Sequence, residues 1–326
     1  MRMVIKKNRV FPAIVWCAFL LIGAAARSQT IDSLLSAYKN AADPRQKTNL
    51  QLQLAWAYQN QEAYGKAIAY YREALFNRAL SDSLIDDEIP ALKNMAFCYS
   101  ELGDLDNEIF VQENILSVIK NGSRSDTEIE KTLQDLSVLY VQGQNYENAI
   151  ECNQEIIAIA ERRSDYTSLA QAYNNLGYIY HLLKKEELSS HYFNKCYNTT
   201  KEKNILLSED DRVSILTNLG IINASLGNFK AARDFFFEAH AIRKLQGDPV
   251  KLAQNLNYLA ACDYLQNKDQ NALSLVSEAI GLLKHATAGD EREITIAGSY
   301  KLAAEIMLKQ NNLPEFRKYN DLYTRE

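Results

Sequence analysis

From residue 48 to residue 326 a bulky apolar side chain is followed at once by a small one at regular intervals: Leu54-Ala55, Met95-Ala96, Leu136-Ser137, Leu176-Gly177, Leu219-Gly220, Leu259-Ala260 and Leu302-Ala303. The steps between these doublets are 41, 41, 40, 43, 40 and 43 residues. Around the fourth, Tyr173 lies three places before Leu176 and Tyr180 three places after Gly177. That spacing puts all four residues on one face of a helix. After each such helix a short turn is predicted, as in Glu101-Leu102-Gly103-Asp104, Gln142-Gly143-Gln144-Asn145 and Leu226-Gly227-Asn228. A second helix follows, with small residues seven apart at Ala67 and Ala74, Ala232 and Ala239, and Ala272 and Ala279. Small side chains let two helix backbones approach while Leu, Tyr and Phe fill the adjacent volume. The pattern therefore predicts helix pairs opening near residues 48, 89, 130, 170, 213, 253 and 296.

Ahead of the first pair, Ile31 to Ala42 forms an amphipathic helix with Ile31, Leu34, Leu35 and Tyr38 on one side. It stops before Asp43-Pro44, where Asp caps and Pro fits the first turn of the next helix. Such a leading helix covers the open end of a repeat array. Ser125, Asp126 and Ser208 are read as caps between pairs. With only 12 Gly and 5 Pro in 326 residues, an all-helical chain is expected.

The doublet with Tyr173, Tyr180 and Phe193, and in the first pair Leu54, Ala55, Tyr58, Ala67, Tyr71 and Ala74, resembles the tetratricopeptide repeat. The likeness runs from about residue 48 to 326, nearly the whole chain after its leader. Its departures are a longer period, Glu108 and Gln112 in the second repeat, and Asn223 and Asp263 in place of tyrosine in the fifth and sixth. The long period is similar to that of kinesin light chains and of the input regions of bacterial sensor proteins. The resemblance implies an all-α fold, a right-handed α-solenoid of seven repeats with an N-terminal capping helix. It also implies a concave surface lined by the first helices.

The N-terminus carries Arg2, Lys6, Lys7 and Arg9, then an apolar stretch from Ala13 to Ala26. This reads as a secretory signal, residues 1–28, cut before Gln29; the competing reading is a retained anchor. Residues 29–47 are then the capping segment and 48–326 the repeat array. The signal removes five of the 36 Lys and Arg and none of the 41 Asp and Glu, leaving a net charge of 31 − 41 = −10. Interspersed charges with that balance argue against nucleic acid and anionic membrane surfaces as partners. The mature chain has no apolar stretch long enough to span a bilayer. A periplasmic or secreted location is expected. Cys98, Cys152, Cys196 and Cys262 each sit at an apolar position of a different repeat and read as buried free thiols.

Catalytic signals are thin. His181, His191, His240 and His285 lack metal-ligand spacing, although His181, His191 and Glu187 sit near one hairpin. No nucleotide loop, hydrolase elbow or kinase signature is present, so no cofactor, metal or enzyme activity is expected. Asp86-Asp87 and Asp210-Asp211 read as helix-start carboxylates. Tyr58, Tyr99, Tyr140 and Tyr180 read as packing within each pair. Positions just before the doublet are the candidate binding groove: Gln53, Lys93, Asn94, Gln134, Asp135, Asn174, Asn175, Thr217, Asn218 and Asn257. Amides donate and accept, and so match the main chain of an extended peptide without reading its sequence. Trp56, Phe97, Tyr178 and Ile221, just after the small residue, would add apolar pockets. A non-catalytic scaffold for a protein or peptide is the expected function. Two alternatives stay open: a stand-alone sensory component of a bacterial signalling system, and a repeat-based glycan-binding or enzyme accessory protein.

Overall fold

A computed structural model describes residues 31–80, 88–122 and 125–325 of the chain. The expected leader, Cys17 within it, and Asp86-Asp87 lie outside the described residues. Among those residues the chain is wholly helical, with α1 at Ile31–Asn40 ahead of the pairs α2 (Pro44–Asn60) and α3 (Tyr64–Leu80), and α4 (Ile89–Glu101) and α5 (Leu105–Asn121). The series continues with α6 (Asp126–Gln142) and α7 (Tyr146–Arg163), then α8 (Tyr166–Leu182) and α9 (Glu186–Glu202). It ends with α10 (Glu209–Ser225) and α11 (Phe229–Gln246), α12 (Pro249–Leu265) and α13 (Asp269–Lys284), and α14 (Asp290–Lys309) and α15 (Leu313–Arg325). This is a repeat of helical hairpins, the α-solenoid class. Two compact units divide within α7, one reaching Ile159 and the other starting at Ala160.

Helix starts follow their polar punctuation. Asp43 accepts from the Gln46 backbone N–H at 2.8 Å with Pro44 in the first turn. Ser125 caps α6 through the Glu128 N–H and Ser208 caps α10 through the Asp211 N–H. Asp126 is the first residue of α6 rather than its cap. Asp210 and Asp211 lie in the first turn of α10, where carboxylates meet the positive helix end. Most first helices begin about a turn before the expected positions, α2 at Pro44 instead of 48 and α10 at Glu209 instead of 213. The opening turns of α2 and α10 are mostly polar and lie outside the core, so they leave no mark on the apolar pattern.

In the unit reaching Ile159, Leu34 of α1 packs with Leu50 and Leu54 of α2, with Tyr38 and Tyr70 alongside. The leading helix therefore covers the first hairpin. The small member of every doublet is buried, and so is every bulky member except the half-buried Leu302. What the small residue accommodates lies sixteen positions later, on the second helix. A Cβ added to Gly177 would stand 2.7 Å from the Phe193 ring, and one added to Gly220 would stand 2.4 Å from that of Phe236. Ala55 and Tyr71 occupy the same register and share one core cluster. In the third repeat the pair is polar: Asn153 Nδ2 donates to Ser137 Oγ at 2.6 Å, both side chains being buried. The second-helix residues Ala67, Ala74, Ala232, Ala239, Ala272 and Ala279 are all fully buried.

Tyr58 and Tyr180 pack within their hairpins, whereas Tyr140 bonds the hairpin before its own. Tyr58 stacks on Tyr70 at 5.6 Å and Tyr180 on Tyr192 at 5.3 Å, while the Tyr140 hydroxyl donates to Glu113. Cys98, Cys152, Cys196 and Cys262 are buried free thiols. Burial pushes Cys98, Cys152 and Cys196 up to about 12 and Cys262 to about 11, so they stay protonated and unreactive near neutrality.

Candidate binding surface

The first helices pack directly on one another in both units, α2 on α4 in one, and α8 on α10 and α12 on α14 in the other. In those three pairs the residues flanking one doublet stand beside their counterparts in the next repeat. Their environments differ sharply between the units.

In the unit reaching Ile159 this face is open. Trp56 is 48% exposed and Val138 42% exposed, with Phe97 half-buried at the same register between them. Phe97 is held edge-on by Tyr64 at 6.1 Å. Gln53, Asn94 and Gln134 are half-buried, and Gln134 Nε2 reaches Glu130 at 3.4 Å. Lys93, Lys131 and Asp135 are exposed. Protein packed around Asp135 pushes its carboxyl above the usual range, and Lys131 and Lys93 pull it back. The result is a row of apolar side chains along α2, α4 and α6, edged by amides and by two lysines facing one carboxylate. Val138 and Lys131 are not among the sequence candidates. Their register is the signal that finds them: Val138 directly follows Ser137 as Trp56 follows Ala55, and Lys131 lies one turn before Gln134.

In the unit starting at Ala160 the same positions are occupied by helix-to-helix contacts. Thr217, Asn218 and Ile221 are buried at 4%, 0% and 1% exposure, and so present no side chain to a ligand. Asn218 Nδ2 donates to Asn174 Oδ1 at 3.2 Å, tying α10 to α8. Asn257 Nδ2 donates to Ser299 Oγ at 2.8 Å, and its Oδ1 accepts from that hydroxyl at 3.1 Å. Gln254 bonds Glu291 and Thr295 of the same neighbour, α14. The expectation that Thr217, Asn218 and Asn257 offer free polar side chains to a peptide is corrected by these bonds and burials. Asn175 and Tyr178 are half-buried on α8.

No group of three or more His, Cys, Asp or Glu among the described residues is arranged to hold a metal. His181 Nδ1 pairs with Glu186 at 2.9 Å rather than with Glu187. Asp263, which stands in the tyrosine register of the sixth repeat, is buried and bonds Arg233 Nε at 3.0 Å. No described helix is long and apolar enough to cross a membrane.

Two models of the tetratricopeptide repeat match the sequence, at residues 48–75 and 128–202. No curated protein sequence matches. Among solved structures the chain is similar to the apo form of the quorum sensor NprR from B. thuringiensis, with 17% identity and a TM-score of 0.58 over 90% of this chain and 80% of that one. A tetratricopeptide repeat protein from Parabacteroides merdae shares 13% identity at a TM-score of 0.55, over 85% of this chain and 92% of the other. Aspartyl phosphate phosphatase F from Bacillus subtilis shares 15% identity at a TM-score of 0.53, over 94% of this chain and 77% of the other. At these identities the likeness is one of fold. With its doublets buried in the hairpins and tetratricopeptide-repeat models matching residues 48–75 and 128–202, the chain carries tetratricopeptide repeats within an α-solenoid.

Proposed function

We propose that this protein is a non-catalytic scaffold that binds an extended polypeptide segment, and that the binding surface is the open face of α2, α4 and α6. The observation that supports this reading is the exposed Trp56 and Val138, with half-buried Phe97 at the same register, beside half-buried amides. Contiguous exposed apolar side chains rimmed by polar groups mark interaction surfaces. An aromatic anchor such as Trp56 is the residue type that carries most interface energy. Gln53 and Gln134 would meet the ligand main chain, while Lys93, Lys131 and Asp135 would orient its charges. Export to the periplasm or beyond, through cleavage before Gln29, belongs to the same proposal. Sequencing the N-terminus of the exported protein tests it.

Trp16 and Trp56 are the two tryptophans of the chain, so removal of the leader leaves Trp56 as a single reporter. Extended peptides from an arrayed library that bind the purified protein should shift Trp56 emission on saturation. Phe97→Ala and Val138→Asp should weaken them about tenfold or more, and Asn257→Ala should leave them unchanged. Equal affinity for all three variants sinks the proposal. A second reading, a stand-alone sensory component, draws support from the fold it shares with the quorum sensor NprR. In that case the bound peptide should change recovery of a defined signalling partner, a kinase or DNA-binding regulator, and not merely occupy the groove.

A further inference from the structure

On the other side of α6 lies a cleft of about 450 Å³ between α5 and α7, in the unit reaching Ile159. It shares no residue with the open face described above, because Leu133, Leu136 and Tyr140 point away from Gln134, Asp135 and Val138 on the same helix. Its volume falls within the range of small-molecule sites. The lining is arranged in zones. Leu116, Leu136 and Cys152 form an apolar floor. At one end the Tyr140 hydroxyl bonds Glu113 and so fixes that carboxylate; Asn148 and, one turn farther along α7, Glu151 also line the cleft. At the other end Lys120 and Glu155 neutralise one another across 2.8 Å. Among the described residues, the cleft's one lysine is thus committed to Glu155, and the carboxylates of Glu113 and Glu151 face the cleft without a cation of their own.

We propose that this cleft binds a primary alkylammonium compound, its ammonium between Glu113 and Glu151 and its alkyl chain on Leu116, Leu136 and Cys152. An ammonium has three donors and no acceptor, matching carboxylates that can only accept. An aliphatic stem beneath a charged head is the shape an apolar floor with an anionic rim accommodates. The Asn148-to-Glu155 stretch of α7 is about 10 Å long at the helical rise, room for a chain of several carbons. The proposal is independent of the peptide surface.

Isothermal titration of the whole mature protein with pentan-1-amine tests it, against pentan-1-ol as the uncharged isostere and 1,5-diaminopentane as the doubly charged one. Saturable binding of the amine and of the diamine, and none of the alcohol, are expected. Glu113→Gln with Glu151→Gln should weaken the amine at least about tenfold, since each charged hydrogen bond contributes on that order. The amide oxygen introduced by Glu113→Gln still accepts from the Tyr140 hydroxyl, so the fold should persist, as an unchanged thermal transition would verify. Ser117→Trp, on the exposed rim, should block the cleft sterically while leaving both carboxylates in place. The proposal is overturned by an absence of saturable amine binding, by equal binding of the alcohol, or by amine affinity unchanged in the carboxylate or Ser117→Trp variants.

Discussion

Replacing Gly220 by alanine probes the contact that recurs through the fold. On an ordinary helix the change stabilises by about 1 kcal/mol, because alanine loses less backbone entropy than glycine. Here the new methyl would sit 2.4 Å from Phe236 Cε1 and 2.7 Å from its Cδ1 and Cζ. Carbon atoms pack at about 3.5–4.0 Å, so the ring must retreat by about 1 Å. Phe236 is fully buried and stacks on Tyr258 at 5.1 Å and 10°, which leaves it little room. Overpacking of a tight core costs about 1–3 kcal/mol. With a boxed ring the cost rises to the top of that range, and after the propensity gain a net loss of about 2 kcal/mol is expected. Urea unfolding followed by circular dichroism measures the total, and hydrogen exchange along α10 and α11 localises it, since repeat arrays need not unfold in one step. Phe236→Val in the same chain should recover part of the loss, because Ala260 and Val276 coexist, both fully buried, at this register of the sixth repeat. A Gly220→Ala protein as stable as its parent, with unchanged exchange in α11, would refute the argument that glycine is there for the ring.

Lys184 and Gln144 hold φ of 60° and 58° in turns where Gly103 and Gly227 hold 70° and 80°. Lys184→Gly should therefore raise stability by about 1 kcal/mol, the left-handed strain of a residue with Cβ; a lower urea midpoint contradicts it. Asp135 should titrate above its ordinary 3.8, visible by carboxyl carbon NMR, and Lys93→Met should move it higher still. Because the native state holds that proton more tightly than the unfolded chain, its contribution favours folding at low pH and is lost as pH rises from 3.8 through the raised value. Asp135→Asn should accordingly stabilise the protein at pH 7, and a midpoint below 3.8 would reverse the sign. Arg233→Met strands the buried Asp263 carboxylate and should cost about 3 kcal/mol, recovered largely by Asp263→Leu in the same chain; calorimetry that shows no loss rejects a stabilising pair.

The doublets are legible because each joins a bulky and a tiny side chain that must both be inside, which leaves a period no other feature mimics. The partner of the tiny residue is not, since it changes identity: Tyr71, Asn153, Phe193, Phe236 and Val276 all lie sixteen places on. Only the space each fills is kept. Helix starts run about a turn ahead of the apolar pattern because exposed polar residues such as Glu209 and Asp210 satisfy the helix end without entering the core. Glu186 rather than Glu187 meets His181 because the connecting turn rotates the start of α9, and sequence spacing does not determine that angle.

The misplaced part of the binding face has a different origin. Amides at one register look equivalent along the sequence, yet an amide faces a ligand only when its helix has a side left open. The helix α10 has none: Val213, Ile215, Leu216, Leu219, Ile221 and Ile222 are buried around its whole circumference. A helix apolar on all sides is enclosed. Any polar side chain on it must then bond within the fold, as Asn218 does with Asn174. By contrast α6 sets Lys131, Gln134 and Asp135 opposite Leu133, Leu136 and Tyr140, and its polar side meets solvent. That difference is written in the sequence of each helix taken whole. It implies that moving the charge pattern of α6 onto α10, as in Thr217→Lys, would unfold the second unit rather than extend the groove. A Thr217→Lys protein with native exchange protection in α10 would show that the enclosure is looser than its burial indicates.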